Sequence, residues 1–186
     1  MTFSRTELPD VILIEPRIHG DDRGYFTETY RQDLLENFIS KKVKFSQENE
    51  SKSTYGVLRG LHFQIPPYSQ SKLVRVIKGK VLDVVVDIRK NSPNYGHHIA
   101  VELSDNNKKQ LFIPQGFAHG FIVLSEEAIF NYKVDNKYSP EHEHGILFSD
   151  QDLNIDWKVN TEDLILSDKD KLLGKFSVLE DYFKGH

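Results

Sequence analysis

Short hydrophobic runs separated by turn residues dominate the middle of the sequence, from Phe45 to Tyr132. The runs have the length of strands rather than of helices, and several are rich in Val and Ile. Gly, Pro, Asn and Asp stand between them, as is typical of turns. The pattern predicts a mainly β fold, a sandwich or barrel with strands at 57–63, 73–77, 81–88, 98–103, 110–113, 121–124 and 128–134.

The two ends of the chain have different patterns. Apolar and aromatic residues at 11–14 and 25–30 predict two early strands, whereas helical spacing of apolar residues predicts one short helix at 31–38. After residues 138–140 the chain turns polar, so we expect its last part to wrap the barrel as loops and a short helix. Because no repeat or long linker interrupts the sequence, residues 1–186 are expected to form a single domain.

The strand predicted at 81–88 has two distinct faces, because successive side chains of a strand point to opposite sides of the sheet. Its even-numbered positions are all apolar, while Asp83 and Asp87 share the other face with Val81 and Val85. Two interpretations are open. Either both carboxylates tether loops at the strand ends, or Asp83 faces a pocket and orients a histidine or a cation.

Composition and charge exclude several classes of protein. The chain has 24 Lys and Arg against 28 Asp and Glu, a formal net charge of -4, which argues against a general binder of nucleic acid or membrane surfaces. It contains no cysteine, so disulfides, thiolate nucleophiles and cysteine-rich metal sites are excluded. No run approaches the roughly 18 apolar residues that span a bilayer, and Met1 is not followed by an apolar export segment. We therefore expect a soluble cytoplasmic protein.

The most informative motif lies around one histidine. It comprises Gly56–Gln64, Lys72 and Pro114–Phe121. On a regular strand His62 and Gln64 share one face, which aims an imidazole at a cavity. Arg59 has the opposite parity, so it can line the same pocket as His62 only if the strand kinks or bulges near Gly60.

The motif resembles a metal-binding barrel whose ligands have been exchanged. Barrels of the cupin type often hold a metal with two histidines and a glutamate near one hairpin, and a third histidine in a Pro-x-Gly-x-x-His segment. Here His62 and His119 are in place, but Gln64 stands for a histidine and Lys72 for the glutamate. An ammonium has no lone pair and opposes a divalent cation, so we expect no metal there. The candidate metal ligands elsewhere in the chain are histidines that we expect at the surface: His97, His98, His142 and His144.

An ammonium fixed beside a neutral imidazole suits the removal of a proton next to a carbonyl group. In that interpretation His62 is the base, Lys72 stabilises the enolate oxygen, and no cofactor is needed. Inversion of the carbon would require an acid on the opposite face. Tyr132 is a candidate, although a tyrosine at this place in a strand more often packs in the core or at the rim.

At these residues the chain resembles the dTDP-4-dehydrorhamnose 3,5-epimerase family, nearly from end to end. The matching segments are 22–28, 47–49, 56–64, 72–76, 83–89, 114–121, 138–141 and 166–170. The resemblance implies a jelly-roll cupin that forms a homodimer and acts without cofactor on a dTDP-linked 4-keto-6-deoxy sugar. The alternatives are a 3-epimerase or 3,4-ketoisomerase on a related ketosugar, a noncatalytic nucleotide-sugar-binding cupin, and a metal-dependent dioxygenase or isomerase.

The resemblance also implies roles for individual residues. His62 matches the base, Asp170 its carboxylate partner, Tyr132 the acid and Lys72 the cation that stabilises the enolate. Predicted substrate contacts are Arg23, Phe26, Glu28, Gln47, Asn49, Arg59, Gln64, His119, Tyr138, Glu143 and Lys169. Residues 23–28 are expected to act across the dimer interface. The sequence departs from the family at Glu50, Lys52 and Trp157-Lys158, which bears on nucleotide and sugar specificity.

Overall fold

The structure, a computed structural model, describes residues 1–184; the last two residues of the predicted domain, Gly185 and His186, lie outside it. Strands account for most of its regular structure. They are β1 (Thr2–Arg5), β2 (Ile12–Glu15), β3 (Ile18–Asp21), β4 (Gly24–Thr27), β5 (Gln47–Thr54), β6 (Leu58–Gln64), β7 (Lys72–Lys78), β8 (Lys80–Asp87), β9 (His98–Ser104), β10 (Gln110–Ile113), β11 (Phe117–Val123), β12 (Glu127–Val134) and β13 (Glu143–Gly145). The helices are α1 (Gln32–Ile39), α2 (Asp168–Lys171) and three 3-10 turns, Pro140–His142, Thr161–Asp163 and Phe176–Val178.

Two antiparallel sheets form a sandwich, which confirms the mainly β prediction. One sheet has the strand order β1-β2-β10-β7-β12-β5, and the other has the order β13-β6-β11-β8-β9. Strands that follow each other in sequence often lie in different sheets, as in a jelly roll. Among the described strands, β3 and β4 pair only with each other and form a separate hairpin.

The sandwich has three apolar layers. The first lies between the sheets and includes Val74, Val85, Leu111 and Phe130. The second covers the outer face of the five-stranded sheet, where the C-terminal segment contributes Ile146, Leu153, Trp157 and Phe183. The third lies where α1 packs Leu35 onto the outer face of the six-stranded sheet. The expectation that the end of the chain wraps the barrel as loops and a short helix is thus confirmed.

Strand β6 contains the kink that the pocket motif required. Its register against β11 shifts between the pairs His62–His119 and Arg59–Phe121, so β6 has one extra residue there. As a result Leu58 and Leu61, three positions apart, belong to the same outer layer, and Arg59 shares the inner face with His62.

Glycine is required at this kink by close backbone contact. Gly60 has φ +129°, and a Cβ built there would lie 2.5 Å from the Cα of Gly120 on the neighbouring strand. A Cβ on Gly120 would in turn lie 2.8 Å from the carbonyl oxygen of Arg59. The two glycines therefore let β6 and β11 approach closely enough for Arg59 and His62 to face one cavity.

Each interpretation of the β8 carboxylates holds for one residue. Asp87 tethers a loop: it accepts hydrogen bonds from the backbone and guanidinium of Arg89 and from the hydroxyl of Ser92. Asp83, also fully buried, instead faces the interior and contacts a histidine, His119.

Some strands were not predicted, because they lack the apolar signal. Strand β5 has the sequence Gln-Glu-Asn-Glu-Ser-Lys-Ser-Thr, yet its odd-numbered residues are at least partly buried and its even-numbered residues are exposed. It is an edge strand with a polar inner face. The burial of its residues therefore alternates with period two, but their polarity does not. Strands β1, β3 and β13 are also short and partly polar, and β11 begins at Phe117 rather than at Phe121.

Candidate active site

A cavity of about 610 Å³ opens between the two sheets. Its walls come from strands β5, β6, β7, β11 and β12, and the C-terminal segment 165–170 closes one side. The polar side chains that line it are Ser51, Arg59, His62, Gln64, Gln70, Lys72, His119, Tyr132, Tyr138, Glu143, Ser167, Lys169 and Asp170. The sequence motif and the remote C-terminal residues therefore meet in one place.

His62 is paired with a carboxylate from the other end of the chain. Its Nε2 lies 2.5 Å from Oδ1 of Asp170, which is almost fully buried. Ser167 caps α2 by accepting a hydrogen bond from the backbone N–H of Asp170 at 3.1 Å, which fixes the start of the helix. Burial opposes ionisation of Asp170, but the hydrogen bond and charge of His62, together with Ser167 and Lys169, outweigh it and lower the pKa of this carboxyl. An ionised carboxylate only accepts, so Nε2 of His62 carries a proton, and in the neutral tautomer of the ring Nδ1 is the acceptor.

Lys72, the first residue of β7, supplies a cation to the cavity. Its ammonium has no hydrogen-bond or ion-pair partner among residues 1–184. Burial lowers the pKa of Lys72 to about 8, against the opposing effect of the charges on Asp83 and Glu143. The side chain is therefore mostly charged at neutral pH and has donors available for a ligand oxygen.

Tyr132 lies on β12 and lines the same cavity. It pairs across the strand with Asn49 of β5. Burial raises the pKa of Tyr132, while a hydrogen bond with Asn49 and the charge of Arg59 act in the opposite direction. The phenol is accordingly protonated at neutral pH, as a proton donor must be.

His119 and Asp83 form a second histidine–carboxylate pair, deeper in the fold. His119 lies opposite His62 in the β6–β11 ladder, and its Nε2 is 2.9 Å from Oδ2 of Asp83. Burial lowers the pKa of His119 and raises the pKa of Asp83. Asp83 is missing from the predicted site residues, although the alternation along its strand had suggested that it faces a pocket.

At the mouth of the cavity, Glu143 joins two segments. It accepts hydrogen bonds from the hydroxyl of Tyr138 and from the ammonium of Lys169. The bond to Glu143 raises the pKa of Tyr138 to about 12. Burial opposes ionisation of Glu143, but the bonds from Lys169 and Tyr138 prevail and lower its pKa. Three predicted ligand contacts are thus neighbours, because Tyr138 and Lys169 both donate to Glu143.

Gln64 lines the cavity with its amide already occupied. Its Nε2 donates to the carbonyls of Tyr68 at 2.6 Å and Lys137 at 3.1 Å, and its Oε1 accepts from the backbone N–H of Ser139 at 2.7 Å. The residue at the exchanged metal-ligand position therefore ties two loops together. A direct contact of Gln64 with substrate stays a prediction.

Of the other predicted contacts, Arg59 lines the cavity, whereas Gln47 and Asn49 are not among its lining residues. Arg59 donates from Nε to Ser53 at 3.1 Å and is otherwise exposed toward the opening. Gln47 and Asn49 are hydrogen-bonded to each other at 2.9 Å on the inner face of β5. Ser51, Ser167 and Gln70 also line the cavity and were not predicted; Ser51 follows Asn49 at strand spacing, which is the signal that would have found it.

The structure does not bring every predicted contact into the cavity of the same chain. Arg23 and Phe26 lie on the β3–β4 hairpin and Glu28 follows it; all three are exposed and none lines the cavity. Phe26 is 70% exposed, and Arg23 is paired with Asp21 at 2.5 Å.

The departures from the family pattern face away from the cavity. Glu50 and Lys52 are on the exposed face of β5, and Lys52 is paired with Glu127 at 2.6 Å. Trp157 packs in the outer apolar layer and donates to the carbonyl of Phe148 at 2.9 Å. None of these side chains lines the cavity of the described chain.

Metal ligation and membrane crossing can both be assessed for residues 1–184. Within that range, no three His, Asp or Glu side chains are grouped closely enough to hold a metal ion. In the same range, every helix is too short or too polar to cross a membrane.

The cavity of this antiparallel cupin barrel holds a carboxylate-paired imidazole, a cation and a phenol. The protein belongs to the class of isomerases that act by proton transfer. More particularly, the chain belongs to the dTDP-4-dehydrorhamnose 3,5-epimerase family, whose sequence profile matches residues 5–177.

Similar proteins extend over almost the whole chain. A dTDP-4-dehydrorhamnose 3,5-epimerase of Shigella flexneri is 54% identical over 98% of this chain and 99% of its own length. The crystal structure of the enzyme from Elizabethkingia anophelis superposes with a TM-score of 0.92, at 48% identity, over 95% of this chain and 97% of that one. The Legionella pneumophila epimerase, solved in complex with dTDP-4-keto-L-rhamnose, has a TM-score of 0.92 and 43% identity, over 96% and 94% of the two chains.

Proposed function

We propose that the protein inverts C3 and C5 of dTDP-4-dehydro-6-deoxy-D-glucose to give dTDP-4-dehydro-L-rhamnose, and that one set of side chains performs both inversions. The observation that supports this most directly is the meeting of His62, Lys72 and Tyr132 in one cavity. Family membership and the ligand bound to the Legionella relative agree with a dTDP-linked 4-keto sugar.

The chemistry of the sugar explains why one base suffices. C3 and C5 both flank the C4 carbonyl, and in the chair of a D-gluco sugar their hydrogens are axial on the same face. Nδ1 of His62 removes such a proton, the electron pair moves into the ring bond to C4, and the carbonyl oxygen becomes an enolate oxygen. The ammonium of Lys72 stabilises that negative charge. Tyr132 then donates a proton to the opposite face of the carbon, which completes the inversion.

His62 and Tyr132 are restored by exchange of protons with the solvent. Asp170 supports the base in two ways: it fixes the tautomer of the neutral ring with the proton on Nε2, so that Nδ1 is the acceptor, and it stabilises the imidazolium that forms. Since side chains of the chain itself perform every proton transfer in this scheme, the reaction requires no cofactor.

The nucleotide diphosphate would be bound by cations at the mouth. Arg59 and Lys169 line the cavity there, and both can neutralise phosphate oxygens. Tyr138 is half exposed at the same opening, where its ring is available to stack on the base or the sugar. The cytoplasmic location of the protein stays a prediction.

A test of the reaction follows deuterium in D2O by NMR, with a dTDP-linked 4-keto-6-deoxy-D-glucose as substrate. We expect the wild-type protein to place deuterium at both C3 and C5 of the inverted product. The Tyr132→Phe variant should still exchange protons but return them from the base, so that deuterium appears in substrate that has not been inverted. Deuterium at C3 alone would show that the protein is a 3-epimerase. Deuterium at neither carbon would exclude epimerase activity.

We also propose a homodimer in which the β3–β4 hairpin lies at the cavity of the partner. The hairpin exposes three large apolar side chains, Ile18 at 46%, Tyr25 at 60% and Phe26 at 70%, more than a solvated hairpin of four-residue strands requires. It also holds Arg23 and Phe26, two predicted contacts that do not line the cavity of their own chain. A second copy of the chain accounts for both observations.

The dimer proposal is tested by complementation. One chain has His62→Ala, the other has Arg23→Ala, and mixed dimers are isolated with two affinity tags. If Arg23 serves the partner's cavity, one of the two sites is intact and the mixed dimer recovers about half of wild-type activity. If Arg23 serves its own chain, both sites are defective and no activity returns. Sedimentation equilibrium checks that the mass is twice the 21.6 kDa of one chain.

A further inference from the structure

One oxygen of a fully buried carboxylate below the active-site cavity has no hydrogen-bond partner in the described chain. Asp83 is 0% exposed; its Oδ2 contacts Nε2 of His119, and its Oδ1 is unpaired within residues 1–184. Buried carboxylates are costly unless opposite charge and hydrogen bonds compensate them. The position therefore calls for an explanation other than packing.

A neighbour on the same strand shows what a structural carboxylate looks like here. Asp87, on the same face of β8 and also 0% exposed, accepts from Arg89 and Ser92 with both of its oxygens. Asp83 lies between Val81 and Val85 on a face that packs into the core. A hydrophobic residue at position 83 would suit that environment, so the fold alone does not require the charge.

The side chains near Asp83 are the ones that the reaction uses. His119 is bonded to it directly, and the ammonium of Lys72 is close enough for the two charges to interact. Lys72 has no hydrogen-bond partner of its own among the described residues, so this carboxylate is one of the few groups that offset the burial of the cation.

From this geometry we propose that Asp83 is a positioning residue: it is the counter-ion that keeps Lys72 charged, and it holds His119 with the proton on Nε2. Nδ1 of His119 is then a fixed acceptor on the side of the ring away from Asp83. Asp83 acts only through these two residues and does not contact the reacting atoms. The inference rests on the proposed epimerisation, in which Lys72 stabilises the enolate.

Other charges also act on the ammonium of Lys72, so the contribution of Asp83 must be separated from theirs. Besides Lys72 itself, nine titratable groups of the described chain line the cavity or pack below it. They are Arg59 and His62 on β6, Asp83 on β8, His119 on β11, Tyr132 on β12, Tyr138 before β13, Glu143 on β13, and Lys169 and Asp170 on α2. Of the two carboxylates that raise the pKa of Lys72, Asp83 has the larger effect. Glu143 is already bonded to Lys169 and Tyr138.

The test is the pH profile of kcat/KM for Asp83→Asn, which keeps the shape of the side chain and removes its charge. In the wild-type protein kcat/KM should fall as the pH rises through about 8, because Lys72 then loses its proton. In the variant, burial of the ammonium is less opposed, and we expect this alkaline limb to move down by about 1 pH unit. Binding of dTDP should stay within about threefold, because Asp83 lies below the cavity.

Asp87→Asn is the matched control, a second buried carboxylate on the same face of β8. It should lower the melting temperature without moving the alkaline limb. If Asp83→Asn lowers kcat but leaves the limb where it was, or changes nothing, the inference is overturned. In the Lys72→Met background the limb of Lys72 is absent, so Asp83→Asn should leave the pH profile of kcat/KM unchanged; a change of the profile there would show that Asp83 acts through another titrating group.

A measurement on the wild-type protein keeps the inference testable if the variant does not fold. Nitrogen-15 NMR of the imidazoles should show His119 as the neutral form with its proton on Nε2, and the opposite tautomer would contradict the proposed role. Failure of the proposed function is recognised separately, since the wild-type protein would then exchange no deuterium at either carbon.

Discussion

His62→Ala should lower kcat for epimerisation by about 100- to 10,000-fold, the usual contribution of a general base. It should also abolish deuterium exchange at both C3 and C5, because a single imidazole is assigned to the two axial protons. The side chain is half-buried, faces the cavity and donates to Asp170. Because it lies on the inner face of β6, its removal leaves the outer apolar layer of that strand intact. Isothermal titration with dTDP should give nearly the wild-type affinity.

His97→Ala is a suitable control for this substitution. His97 is exposed and lies outside the cavity, so the change removes an imidazole without touching the site. Exchange at close to the wild-type rate in His62→Ala would show that another group is the base. Loss of exchange at only one carbon would show that the two inversions use different bases.

Lys72→Met should reduce kcat by about 100- to 1,000-fold, the range found when a donor to a developing oxyanion is removed. Methionine fills similar space without a charge, and it removes the cost of burying an ammonium. The variant should therefore be at least as stable as the wild type while being much less active. Thermal unfolding and single-turnover kinetics measure the two effects separately.

The matched control is Lys78→Met, at the other end of β7, where the ammonium is exposed and paired with Glu127 at 2.6 Å. It should leave kcat within about twofold, as is usual for an exposed ion pair. The pH profile gives a second check on Lys72: the alkaline limb of the wild-type protein should be absent in Lys72→Met. A limb that persists in this variant would assign it to another group.

The parts of the fold that the sequence predicted are those where burial follows the chemistry of the side chain. Strand β8 has an apolar outer face and a mixed inner face, and both are legible from alternation. The kink at Gly60 also followed from parity, because Arg59 and His62 cannot otherwise share a face. In contrast, β5 has polar residues on both faces, since one faces the cavity and the other the solvent.

The pairing of His62 with Asp170 could not be derived from local pattern. The two residues are 108 positions apart, and Asp170 lies in a short polar segment that has no signal of burial. Only the resemblance to a family predicted it. Asp83 shows the opposite case: alternation placed it on the inner face, but no pattern tells which of two buried carboxylates is tied to a loop and which to a histidine.

The position of Asp170 also links activity to the outer packing of the sandwich. The C-terminal segment that holds Asp170 also supplies Ile146, Leu153 and Trp157 to the apolar layer on the five-stranded sheet. A substitution that loosens this layer should therefore disturb the carboxylate partner of His62 as well as the fold. Loss of activity then reports on packing at the side of the sheet that faces away from the cavity.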